Sequence, residues 1–230
     1  MLRKITSLKQ KTSIFRFLFL IIFLPQITNG SITTVKSVRD GLAKHTNLKP
    51  TDLIVLDLDN TLIYSPKQTD KNPVQLHQRL HFLTDEKLPE LFTALHIAGI
   101  PLIGLTHAHT GAYRGIKSME EWRFLTTSSL GLIFSYDEHT AKQPLDGLSG
   151  PKPVFYRGII LTAHQPKGLV LNAFLKHMNL SPKRIFFFDD QMRNINSVNE
   201  TLSKKTELYC FHINNHTPSK ETIILADERS

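Results

Sequence analysis

The sequence predicts an α/β fold with a mainly parallel sheet, and three observations carry that expectation. From about residue 51 onward, short continuous apolar runs alternate with stretches of helical period, the pattern of strands buried on both faces and joined by crossover helices. A length of 230 residues suits one globular domain with room for a small insertion. Polar and acidic residues gather where apolar runs end, which is where open parallel sheets build their sites.

Residues 1–30 hold Arg3, Lys4, Lys9, Lys11 and Arg16, no acid, an apolar run over 17–24, then Pro25 and the small or polar Thr28, Asn29 and Gly30. This is the layout of a secretory signal. The run falls short of the ~20 residues a bilayer span requires. Cleavage before Ser31 and a periplasmic or extracellular product, touching the membrane only during export, are the expectation. Those five residues belong to a total of 28 Lys plus Arg, so 23 remain against 20 Asp plus Glu, and the formal charge of +8 is mostly N-terminal. No nucleic-acid partner is expected, because phosphate-backbone binding needs basic residues clustered on the folded domain.

After a lead-in over 31–50, residues 53–56 form a buried strand, and 64–85 leave room for only a small flap or short helical insert. Residues 86–98 make an amphipathic helix with Leu88, Leu91, Phe92 and Leu95 on one stripe. A strand over 100–105 follows, then a mostly helical stretch over 112–130 carrying Ile116, Met119 and Trp122 as core contacts. Residues 132–136 and 154–161 are strand-like, and Pro144, Gly147, Gly150, Pro151 and Pro153 lie between them. That reads as an antiparallel hairpin over 132–162 with a long irregular tip. A helix over 167–178 opened by Pro166, a strand over 185–188, a helix over 193–203 and a last strand over 207–213 complete the domain. Residues 214–230 read as a polar tail. The single cysteine, Cys210, excludes an intramolecular disulfide. Its neighbours Leu208, Tyr209 and Phe211 mark a buried strand thiol in preference to a nucleophile.

Six residues in four short segments are the candidates for chemistry. Asp57 and Asp59, two apart after an apolar strand, can face one pocket until the chain turns. Thr106 ends the next strand, Lys167 opens a helix, and Asp189 and Asp190 follow the run Phe186, Phe187, Phe188. Carboxylates beside apolar strands are costly unless a cation or hydrogen bonds hold them. Taken singly, each has a plainer reading: Asp189 or Asp190 as a helix cap, Thr106 as a turn residue, Lys167 as a solvated first-turn lysine.

In this order, Asp-x-Asp-x-Thr over 57–61, strand-Thr at 106, Lys167 and strand-Asp-Asp at 189–190, the motifs resemble those of the haloacid dehalogenase (HAD) superfamily in its phosphatase branch. The similarity covers residues 51 to about 213 and extends to a group of exported bacterial HAD-like proteins. The resemblance implies a three-layer Rossmann-like fold with a rudimentary cap. It implies an enzyme, a Mg²⁺-dependent phosphohydrolase acting on phosphate monoesters of unspecified identity. Asp57 would be the nucleophile, passing through an aspartyl-phosphate, and Asp59 the general acid and base. Thr106 would hydrogen-bond a phosphoryl oxygen, and Lys167 would neutralise charge. Asp57, Asp190 and the Asp59 backbone carbonyl would hold the metal, with Asn194 supporting them from behind. Asp189 stays open: direct ligand, ligand through water, or partner of Lys167. At an effective dielectric of ~20, a carboxylate approaching a phosphate dianion at ~4 Å meets about 8 kcal/mol of repulsion, roughly six decades in rate, so the cations are needed.

His107, His109 and His164 flank these positions. A second, histidine metal site is a weaker alternative to solvent-facing loop residues, and His107 suits substrate contact better. Two other functions remain open: a non-catalytic HAD-fold protein that binds a metal or partner, and a phosphotransferase differing only in the acceptor.

Overall fold

The computed structural model describes residues 30–66 and 79–214. The signal-like segment up to residue 29, the middle of the 64–85 insert and the tail beyond 214 lie outside the described residues.

The strands are β1 (Ser31–Val35), β2 (Asp52–Leu56), β3 (Ile63–Tyr64), β4 (Phe82–Leu83), β5 (Leu102–Thr106), β6 (Gln143–Pro144), β7 (Val154–Tyr156), β8 (Ile159–Leu161), β9 (Arg184–Asp189) and β10 (Glu207–Ile213). The helices are α1 (Val38–Leu42), α2 (Leu88–Ile97), α3 (Met119–Ser129), α4 (Lys167–His177) and α5 (Met192–Leu202). Eight strands form one sheet in the order β1-β10-β9-β2-β5-β8-β7-β6, while β3 and β4 pair separately. The first six of the eight run parallel; β7 and β6 are antiparallel additions at one edge.

The expected α/β class with a mainly parallel sheet is present. Strand β2 reads as an unbroken apolar run because both its faces are covered. Ile54 and Leu56 join Phe186 and Phe188 in a core with Leu88, Phe92 and Leu95 of α2. Leu53 and Val55 join Ile185 and Phe187 in a second core with Val170, Leu171 and Phe174 of α4 and Ile195, Val198 and Leu202 of α5. Each such side chain, once fully buried, contributes about 1.5–3 kcal/mol. From β2 the chain winds through β5 to β8, then returns across β2 to β9 and β10. The order therefore reverses beside β2, and the C-terminal ends of strands at such a reversal are where open α/β sheets place their sites.

Two expectations need correction, and the lead-in holds two elements that no sequence pattern marked. The lead-in over 31–50 contains β1, a parallel edge strand on β10, and the short helix α1; a strand paired on one side only leaves little apolar pattern to read. The helix expected over 112–130 begins only at Met119. Arg114 and Gly115 take positive φ, Tyr113 and Ile116 exchange backbone hydrogen bonds, and Ser118 caps α3 by accepting from the Glu121 amide. Residues 132–136 form no strand and no half of the hairpin. The hairpin is β7 and β8 around Arg157 and Gly158. Leu132 and Phe134 instead reach the core from an irregular segment, while Ser135 bonds both ways to Leu102 at the start of β5. Alternating burial without a ladder gives the same sequence signal as a strand. At the opening of α4, Pro166 is the cap, one residue before the first turn.

Candidate active site

Strand β2 ends at Leu56, and the Asp57 amide continues the ladder by donating to the Phe188 carbonyl. The chain then tightens: the Leu58 carbonyl accepts from the amides of Thr61, Leu62 and Ile63, and Asn60 sits at φ 62°, a left-handed conformation that asparagine tolerates better than most residues. The turn brings the Thr61 hydroxyl back to Asp57 Oδ2 at 3.2 Å.

Asp189 closes β9 beside Asp57, and Lys167 approaches from the first turn of α4. Its Nζ donates to Asp57 Oδ1 and to Asp189 Oδ2, the latter at 2.6 Å. Both Lys167 and Asp189 are fully buried. Gly168 makes this approach feasible: a Cβ there would stand 2.0 Å from the Ser197 carbonyl oxygen of α5. Asn194 donates its amide to both Asp189 oxygens at 2.9 and 3.1 Å, and the Gln191 backbone amide donates at 2.8 Å. Asp189 is therefore saturated by Lys167, Asn194 and Gln191.

Asp190 is half-buried. Asn60 and Gln191 donate to its Oδ2 at 3.4 and 2.7 Å, which leaves Oδ1 open among the described residues. Asp57, Asp189 and Asp190 offer one oxygen each within 4.8 Å of one another, the only such ligand group among the described residues. Three carboxylates against one ammonium leave an excess of negative charge. Burial pushes Asp57 up to about 7 against the pull of Lys167, with Asp189 adding to the rise. Burial likewise raises Asp190. Burial opposes the charge on Lys167, but Asp57 and Asp189 outweigh it and the ammonium is held above its ordinary range. An all-oxygen, acid-rich set of this kind could hold a hard divalent cation.

Thr106 stands fully buried at the end of β5, and its hydroxyl has no partner among the described residues. An orphaned buried hydroxyl beside such a cluster is a hydrogen bond waiting for a ligand or water.

Asp59 does not join the acidic group. Its carboxylate turns toward α3, where Arg123 takes both oxygens: Nη1 to Oδ1 at 2.9 Å and Nη2 to Oδ2 at 2.6 Å. The Asp59 side chain is 49% exposed and that of Arg123 9%. Sequence reasoning missed Arg123, a single arginine 64 residues away in a helix with no motif around it. It named Thr61 only as the last member of the motif over 57–61 and gave Asn60 no role; a reading of the turn after Asp57 could have found both contacts.

The three histidines share the rim. His164 sits edge-on to His107 and His109 at 4.7 and 4.1 Å between ring centroids, and His109 stacks on Tyr113. They do not converge into a ligand group. Burial, then His164, lowers His107, whose buried Nδ1 lacks a partner among the described residues. Cys210 lies in the core, its thiol pushed up to about 12 by burial, as the strand reading expects.

The chain is 23% identical over 150 residues to an uncharacterised protein of Rickettsia conorii, covering 61% of this chain and 51% of that protein. It is also 23% identical over 147 residues to one of Rickettsia prowazekii, covering 60% and 49%. The chain thus spans about half the length of the curated relatives it matches. A family model, described as protein of unknown function (DUF2608), matches residues 69–223, a stretch that starts after Asp59 and takes in Thr106, Arg123, Lys167 and both Asp189 and Asp190. With two thirds of its length inside that match, the chain belongs to the DUF2608 family.

Proposed function

We propose that this protein is a phosphohydrolase of the HAD type, acting on phosphate monoesters. One observation carries the reading: a fully buried ammonium, Lys167, held between Asp57 and Asp189 at the ends of two adjacent parallel strands, with Asp190 completing a three-carboxylate group. A structural ion pair does not need three acids for one cation.

In the first step Asp57 attacks phosphorus, the bond from phosphorus to the ester oxygen breaks, and Asp59 gives a proton to the departing oxygen. In the second, Asp59 takes a proton from water, the resulting hydroxide attacks phosphorus, and the acyl-phosphate bond to Asp57 breaks to release inorganic phosphate. The Thr106 hydroxyl donates to a phosphoryl oxygen. Lys167 offsets negative charge on the transferring group, and Asp189, fixed by Asn194, keeps Lys167 in place. Asp57 and Asp190 would hold a divalent cation such as Mg²⁺, which would neutralise phosphoryl charge.

The test is hydrolysis of a generic aryl phosphate by the chain beginning at Ser31, with Mg²⁺ and after chelation. Activity that needs the cation and disappears in Asp57→Asn supports the reading; undiminished activity in Asp57→Asn overturns Asp57 as the nucleophile. One observation favours a second reading, a non-catalytic metal-binding protein: both Asp59 oxygens are engaged by Arg123. No turnover across a broad panel of phosphate esters would select it. Export, supported by the basic then apolar N-terminus, is part of the proposal, and N-terminal sequencing of the protein from its source tests it.

A further inference from the structure

Beside Asp59 lies a cavity of about 260 Å³, lined among others by Asn60, Tyr64, Arg79, His81, Trp122 and Arg123. It is separate in lining from the acidic group: Asp57, Lys167, Asp189 and Asp190 are absent from its wall. Two guanidinium groups face one carboxylate there, so the wall carries a surplus of positive charge, and Tyr64, His81 and Trp122 give it flat aromatic surfaces. Arg123 is built into this wall. Its guanidinium lies over the Trp122 ring at 4.8 Å, and its buried Nε has no partner among the described residues.

We propose that this cavity receives the leaving-group side of the substrate and that Arg123 selects leaving groups bearing an anionic group, which take its guanidinium from Asp59. The inference rests on the phosphohydrolase reading and adds a substrate class to it. The geometry favours such an exchange. Nη1 and Nη2 each hold one Asp59 oxygen, so the bidentate pair turns the carboxylate toward α3 and away from the acidic group where the departing oxygen would stand. A neutral leaving group gives Arg123 no reason to let go, because a bidentate pair exchanged for nothing leaves a largely buried cation unpaired. A carboxylate or second phosphate on the leaving group replaces one bidentate pair by another, and Arg79 on the same wall adds to the attraction for an anion. Arg123 is thus a positioning and selecting residue that acts on the reaction through Asp59.

The experiment compares the Mg²⁺-supplemented protein on 4-carboxyphenyl phosphate and on its neutral amide analogue, 4-carbamoylphenyl phosphate. The wild type is expected to favour the carboxylate by ~10-fold or more in kcat/KM, with part of the gain in kcat because Asp59 is freed. Arg123→Gln should bring the ratio close to one, and Arg123→Lys should keep an intermediate preference. Equal rates on both esters in the wild type, with Asp57→Asn inactive, overturn this inference and leave the phosphohydrolase reading standing. A gain confined to KM overturns the release of Asp59, and a preference that survives in Arg123→Gln overturns the role of that residue. No hydrolysis of either ester overturns this inference, and no turnover across the broad panel of phosphate esters removes the phosphohydrolase reading as well. The wild-type ratio needs no variant, so a poorly folding Arg123→Gln does not blunt the test.

Discussion

Strands β2 and β9 carry charged groups at both ends, and the two ends are built differently. At the N-terminal end Asp52 pairs in register with Arg184. Arg184 donates from Nε and Nη2 to the two Asp52 oxygens at 3.0 and 2.6 Å, the Lys49 amide adds a third bond, and Asn47 accepts two more from Nη1 and Nη2. One acid meets one cation. Five residues further along each strand, Asp57 and Asp189 meet a single ammonium, Asp190 stands beside them, and the Thr106 hydroxyl is left open. Burial alone does not separate structure from function here, since Asp52 and Asp57 are both buried. Charge balance does: one acid meets one cation at the first end, and three acids gather around one ammonium at the second.

The largest difference between the ends should appear in Asp57→Asn, expected to lower aryl-phosphate turnover by at least ~10³-fold while leaving the thermal midpoint unchanged or higher. Circular dichroism melting beside the activity assay reads both quantities; loss of the fold together with activity would erase the contrast. Asp52→Asn should do the reverse. Removing one partner of a largely buried pair costs about 3 kcal/mol, read as a lower urea midpoint with the metal dependence of activity intact.

Gly168→Ala comes next, with an expected cost of about 2 kcal/mol from forcing α4 away from α5, because the added methyl would meet the Ser197 carbonyl oxygen at 2.0 Å. The loss should extend to activity, since Lys167 moves with the helix. Normal stability in a urea titration would show that the interface yields without cost.

The smallest effect is the dependence of cation stabilisation on pH. Asp57 is raised to about 7, so the folded state holds its proton more tightly than the unfolded chain does. Its favourable contribution is complete below the ordinary carboxylate range and is lost as pH rises through about 7. Mg²⁺ competes with that proton, so it should raise the thermal midpoint by about 3 °C at pH 8 and by much less at pH 5. An equal shift at both values would mean that the cation binds elsewhere.

Much of the site was legible in the sequence because its parts lie at the ends of apolar strands. Asp57, Thr106 and Asp189 each end a run whose continuous hydrophobicity announces burial on both faces, and Lys167 is marked by the glycine after it. Parallel strands starting at one level then bring those ends together. Arg123 had no such marker, for its importance lies in a contact across 64 residues. The contrast between Asp57 and Asp59 was equally hidden: strand alternation puts them on one side, yet the turn at Asn60 sends Asp59 to α3. In the fold, β1 escaped notice as an edge strand, and residues 132–136 imitated a strand because burial alternates there without hydrogen-bonded neighbours. Periodicity records which side chains are buried, not what the backbone bonds to.

The central claim is that the unbalanced end makes Asp57 a nucleophile toward phosphorus, and trapping the covalent intermediate tests it most directly. The Mg²⁺-supplemented protein is mixed with an aryl phosphate, quenched in acid, digested and read by mass spectrometry. The account predicts one phosphoryl group on the peptide containing Asp57, absent after chelation and absent in Asp57→Asn. Turnover with that peptide unlabelled, or with the phosphoryl group on His107 instead, would contradict it.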